Sequence, residues 1–111
     1  MSSGEDTKPD LDEATLIQLK SAGSNLSKPH SLDFFLYFPD QSTADSAAAR
    51  IRKLGFAVKV EKSTTGTEWL CYSTRIMVPD LHELQMIRID FNQLAAPLRG
   101  NYDGWGTEVE R

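Results

Sequence analysis

Every second residue from Leu32 to Phe38 is large and apolar: Leu32, Phe34, Leu36 and Phe38, with Asp33, Phe35 and Tyr37 between them. A period of two predicts a β-strand. Aromatics occupy both sets, so neither face of that strand is expected to be fully wet. Pro39-Asp40 ends the run, and the period then changes. Ala44, Ala47, Ala48, Ile51 and Leu54 fall on one helical stripe, capped by Ser42 or Thr43 and closed by Gly55. The small alanines let such a helix lie close on a sheet. Alternation returns at Phe56, Val58 and Val60, separated by Ala57, Lys59 and Glu61. Thr64-Thr65-Gly66-Thr67 reads as a turn and Glu68 to Met77 as a second arm, so residues 56–77 form a predicted hairpin. That arm has two candidate inward sets, Trp69/Cys71/Ser73 and Leu70/Tyr72/Thr74/Ile76, and period alone leaves both open.

The strongest helical stripe follows Pro79 and Asp80: Leu84, Ile87, Phe91, Leu94 and Leu98. Pro97 is expected to kink or tighten its last turn and Gly100 to end it. At the other end, residues 1–9 are small and polar and predict a frayed tail. Asp10 with Glu13 has the spacing of a capping box. Leu11, Leu16, Ile17 and Leu19 then make a short amphipathic helix, stopped by Gly23. Residues 10–111 thus form one domain with the order helix, strand, helix, strand, strand, helix, and a short final strand within 101–109. This is the α+β plan of a ferredoxin-like split βαβ sandwich, βαββα(β), with an added N-terminal helix and two helices on one face of an antiparallel sheet.

Tyr102-Asp103-Gly104-Trp105-Gly106 is the most informative stretch. Asp-Gly predicts a tight reversal with a positive φ at the glycine. Tyr102 and Trp105 flank it, held in place either to complete the core or to form a docking surface. Trp105 leans towards the core. Tyr102 leans towards the surface, its ring packed and its hydroxyl wet.

Charge narrows the functional classes. The chain of 111 residues carries a net charge of −4, which argues against a protein whose main task is to grip phosphate backbones. Arg50, Arg52, Lys53, Lys59 and Lys62 lie close in sequence and read as a solvated helix face and strand edge. Tyr37, Phe35, Trp69 and Tyr72 could imitate the stacking residues of RNA-recognition domains. However, Trp69 to Arg75 lacks the basic-Gly-aromatic pattern of that family's third strand, and no direct nucleic-acid binding is expected. Cys71 is the single cysteine, which excludes an internal disulfide framework and fits a reducing compartment. The first residues have neither an apolar stretch nor a basic start, and no apolar run approaches the ~20 residues of a membrane span. A cytoplasmic protein is expected.

Catalytic and metal chemistry find little support. His30 and His82 are far apart and lack ligand spacing with Cys71 or a carboxylate, so no metal or other cofactor is expected. A Cys71–His82 pair could meet in space, yet a lone cysteine inside a strand reads as a small buried hydrophobe. There is no nucleophile elbow, phosphate loop or dinucleotide fingerprint.

An ordered set of segments resembles the regulator of ribonuclease activity B family. It comprises Leu19 to Gly23, Asp33-Phe34-Phe35-Leu36-Tyr37-Phe38, Ala47 through Gly55-Phe56-Ala57-Val58, Trp69-Leu70-Cys71, Met77-Val78-Pro79 and Gly100-x-Tyr102-Asp103-Gly104-Trp105. The resemblance implies a ferredoxin-like α+β sandwich without enzymatic activity that binds ribonuclease E and restrains RNA cleavage. Family members linked to that inhibition carry a long acidic C-terminal extension. Here the acidic residues instead gather at Glu5, Asp6, Asp10, Asp12 and Glu13. The expected function is therefore a regulatory protein-binding module, monomeric or weakly dimeric, with Tyr102, Asp103, Trp105, Trp69 and Tyr37 as partner-binding candidates. The alternative is a stand-alone domain that binds a small ligand.

Overall fold

In the computed structural model, which describes residues 11–64 and 66–110, the chain runs α1 (Leu11–Ser21), β1 (His30–Phe38), α2 (Gln41–Lys53), β2 (Ala57–Lys62), β3 (Trp69–Met77), α3 (Leu81–Ala95) and β4 (Asn101–Gly106). The strands form one antiparallel sheet in the order β2-β3-β1-β4. This is the ferredoxin-like arrangement with an added N-terminal helix. Both crossover helices pack on one face, as the alternation and the Leu84–Leu98 stripe require. The expected Asp10 cap and the 1–9 tail lie outside the described residues.

The inner face of β1 is fully buried at Leu32, Phe34, Leu36 and Phe38. Pairing of β1 with β3 sets Phe34 opposite Ser73 and Leu36 opposite Cys71. That register decides the open question of β3: Trp69, Cys71, Ser73 and Met77 face the helices, while Leu70, Tyr72, Thr74 and Ile76 face away. Ile76 is accordingly 74% exposed. Phe34, Phe56 and Phe91 meet with centroids 5.0–5.7 Å apart, and Tyr102 adds an edge-on contact to Phe91 at 5.4 Å. The Arg75 guanidinium lies over the Phe56 ring and pairs with Glu83 at 3.2 Å, covering that end of the cluster.

Several local expectations are corrected. Asp40, rather than Ser42 or Thr43, caps α2: its carboxylate accepts from the Thr43 N–H at 2.9 Å and from the Thr43 hydroxyl. The bond to Thr43 holds the Asp40 carboxyl below its usual pKa. Asp80 caps α3 by accepting from the Glu83 N–H. Leu54 lies past the end of α2 and is 45% exposed, so the α2 stripe ends at Ile51. In α1 the buried positions are Asp12 and Leu19, while Leu11 and Ile17 point outwards. Pro97 tightens the end of α3 into a 3-10 turn over Ala96–Leu98, as anticipated, but the left-handed residue is Arg99 (φ 60°). Gly100 is needed for space instead. A Cβ there would run into the Phe38 ring and come within 2.9 Å of the Tyr37 carbonyl oxygen.

Candidate functional site

The predicted turn at the closing motif is a β-bulge. Phe34 pairs with Trp105 and Leu36 with Tyr102, so Asp103 and Gly104 together oppose Phe35. An extra residue of this kind is accommodated where one backbone position adopts a left-handed conformation. Gly104 does so at φ 100°. The need for glycine was legible; the reversal was not, because strand β4 continues through it. The bulge has a second effect. Tyr102 and Trp105 are an odd number of residues apart and would point to opposite faces of a regular strand, but here both face the helices and pack against the core.

Beneath them, α1 supplies a buried carboxylate. The Trp105 indole N–H donates to Asp12 Oδ1 at 3.0 Å, and Arg88 Nε on α3 lies 3.1 Å from Asp12 Oδ2. A charge is tolerated inside only when it is paired and hydrogen-bonded, and Asp12 meets both conditions from two different elements. The Tyr102 hydroxyl is buried beside this group rather than wet as the sequence suggested. Desolvation first, and then the Asp12 charge, push its pKa far above the ordinary phenol value. Asp12, Trp105 and Arg88 fasten α1 to β4 and α3, and the Tyr102 ring packs on Phe91 of α3. The N-terminal end of β1 has its own polar tie. The His30 Nδ1–H donates to the Lys28 carbonyl at 2.7 Å, which leaves Nε2 to accept from the Ser24 hydroxyl. Ser24 Oγ in turn accepts from the Glu110 backbone N–H.

The partner-binding candidates divide between the two faces of the sheet. Tyr102, Trp105 and Trp69 lie on the helix side and are half-buried. Asp103 is exposed at the bulge. Tyr37 stands on the opposite face, which no helix covers, and it does not join the other four. That open face carries residues the candidate set left out. Phe35 and Tyr72 sit opposite each other with ring centroids 5.7 Å apart, and the Tyr72 hydroxyl donates to Asp33 Oδ1 at 2.9 Å. The bond to Asp33 is the main reason the Tyr72 pKa is raised. The signal was present in the sequence as the second set of the β1 and β3 alternations, Asp33/Phe35/Tyr37 and Leu70/Tyr72/Thr74. Two open depressions flank Tyr72. One, of about 350 Å³, is lined by Ala57, Val58, Lys59 and Thr74; the other, of about 320 Å³, by Ser31, Asp33, Thr107, Glu108 and Glu110.

Cys71 and His82 are not arranged for nucleophilic chemistry. The thiol is buried and donates to the Ala44 carbonyl at 3.2 Å, burial raises its pKa to about 11, and His82 is exposed at the start of α3. Among the described residues no group of three or more His, Cys, Asp or Glu side chains is placed to hold a metal ion, and no helix is long and apolar enough to cross a membrane.

The sequence profile described as regulator of ribonuclease activity B matches residues 10–107. The chain belongs to the regulator of ribonuclease activity B family. No curated protein matches the chain. The family match begins beside the buried Asp12 and ends one residue past β4, so it takes in every helix and strand described above. The regulator of ribonuclease activity B family is thus represented here by a ferredoxin-like sheet with helices on one face and an aromatic, largely acidic surface on the other. The family is described as one of regulators of ribonuclease activity, a description that points to a protein partner such as a ribonuclease.

Proposed function

We propose that this chain is a non-enzymatic cytoplasmic module that binds ribonuclease E as its protein partner and restrains RNA cleavage, acting as a monomer or weak dimer without cofactor or direct nucleic-acid contact. The reading is carried by the family match across the whole domain, from α1 to β4. It is supported by the chemistry of the surface: half-exposed aromatics on a helix-free sheet face, with no convergent catalytic group among the described residues. Tyr37 and Asp103 would meet the partner directly. Trp69, Tyr102 and Trp105 would act from beneath by fixing the sheet and α1.

The test uses the purified chain at stoichiometric excess over ribonuclease E, with retention on an immobilised column and the cleavage rate of a defined transcript as readouts. Retention with slowed cleavage is expected. Free passage of the enzyme together with an unchanged rate would remove the reading. The small-ligand alternative draws on the polar depression at Asp33, whose volume of about 320 Å³ is at the lower end of ligand-pocket sizes. Thermal stabilisation by a metabolite library in the absence of ribonuclease binding would favour it.

A further inference from the structure

We infer that the open sheet face binds an extended arginine-rich segment, whose guanidinium planes lie on Phe35 and Tyr72 and pair with Asp33, Glu108 and Glu110. The inference deepens the protein-binding reading above and rests on it for the identity of the partner. It begins from the sheet register. Strands β1, β2 and β3 direct Ser31, Asp33, Phe35 and Tyr37, then Ala57, Lys59 and Glu61, then Leu70, Tyr72, Thr74 and Ile76 to a side that no helix covers. Two adjacent half-exposed rings offer a platform for a planar group. The choice between planar ligands is made by charge.

Lys59 is the one cation that β1, β2 and β3 turn to this side, among the described residues. Against it stand Asp33 and Glu61 on the sheet, and Glu108 and Glu110 on the segment that follows β4. That segment is held along β1 by the Thr107 hydroxyl, which donates to the Ser31 carbonyl at 2.8 Å, and by the Glu110 N–H on Ser24. Asp33, Glu108 and Glu110 therefore line one depression together with Tyr72. The Tyr72 hydroxyl orients the Asp33 carboxylate by donating to one of its oxygens.

Single-stranded RNA would stack on the same rings, but its phosphates would meet these acidic residues. A second copy of the chain would bring acidic face against acidic face. A guanidinium satisfies both parts at once, because it stacks on an aromatic and forks onto a carboxylate. Lysine, a compact and strongly hydrated point charge, gains less from the rings.

The experiment measures fluorescence anisotropy of a short labelled peptide alternating arginine and serine, with the folded chain as titrant. The lysine-for-arginine peptide and a labelled oligouridine serve as comparisons. The arginine peptide is expected to bind about fivefold or more tightly than the lysine peptide, and to weaken as salt is raised. Asp33→Asn and Tyr72→Ala should each weaken it about fivefold or more. Tyr72→Phe, which keeps the ring, should lie between, and Asp90→Asn on the helix layer should leave it unchanged. Each variant is accepted only with a native circular dichroism spectrum.

Equal affinity for both peptides, preferential binding of oligouridine, or a wild-type response in both Asp33→Asn and Tyr72→Ala would overturn the inference. So would a dimer in sedimentation that Tyr72→Ala dissolves. Ribonuclease E retained equally by wild type and by Asp33→Asn overturns this inference while the ribonuclease reading stands. Arginine-peptide binding of the expected kind with no ribonuclease retained supports this inference and removes the ribonuclease reading.

Discussion

Replacing Asp12 by alanine should loosen the attachment of α1, and the structure allows the size of the effect to be worked out. Asp12 Oδ1 accepts the Trp105 indole N–H at 3.0 Å, a bond to a charged acceptor worth about 1.5–3 kcal/mol. The Arg88 partner is one-third exposed, so its ion pair is screened and adds about 0–1 kcal/mol. The loss is then about 2–4 kcal/mol, a fall in melting temperature of roughly 10–15 °C for a domain of this size. Asp12→Asn keeps an acceptor for the indole and gives up only the charge, so it should lose about 1–2 kcal/mol. Thermal unfolding followed by far-ultraviolet circular dichroism measures both, with tryptophan emission reporting on the surroundings of Trp105. A double-mutant cycle with Trp105→Phe isolates the bond, and its coupling should be about 1 kcal/mol or more. A melting temperature within about 1 °C of wild type for Asp12→Ala, or strict additivity in the cycle, would refute the clamp.

Phe91 is fully buried and touches the rings of Phe34, Phe56 and Tyr102, so Phe91→Ala should cost about 3–5 kcal/mol in urea-induced unfolding. Gly104→Val should destabilise the domain by about 1–3 kcal/mol in the same assay, because a β-branched residue resists a φ of 100°. Cys71, with its pKa raised to about 11 from 9.0, should carry about a hundredfold less thiolate at pH 8 than the unfolded chain, and alkylate at least that much more slowly by mass spectrometry. The sign for stability follows. The protonated thiol is favoured in the fold, so its contribution is intact below pH 9 and lost as pH rises towards 11, a decline that Cys71→Ala should reduce.

The core was legible because its residues obey one period at a time. Leu32 to Phe38, Ala44 to Ile51 and Leu84 to Leu94 needed no partner to be read. β3 has apolar residues in both sets, and only pairing with Phe34 and Leu36 decides its face. The buried position of α1 held by Asp12 is invisible to a search for apolar stripes, since its partners Arg88 and Trp105 come from distant parts of the chain. The same limit applies to the open face. Asp33 and Tyr72 acquire meaning together only through the strand register, and Glu108 and Glu110 join them by way of the segment after β4. The family match adds the functional class, which none of these local patterns contains.

The bulge in β4 bears on how this chain tolerates changes of length. Removing one residue from a strand ordinarily inverts every side chain that follows. On β1 the partners of Trp105 and Tyr102 are Phe34 and Leu36, two residues apart, whereas Trp105 and Tyr102 are separated by three. Excision of Asp103 would restore equal spacing and leave both aromatics facing the helices, with the indole still opposite Phe34. An added residue at the same point would have no such remedy. β4 is therefore written with one surplus letter, and a shortened chain keeps the meaning of the strand while a lengthened one does not.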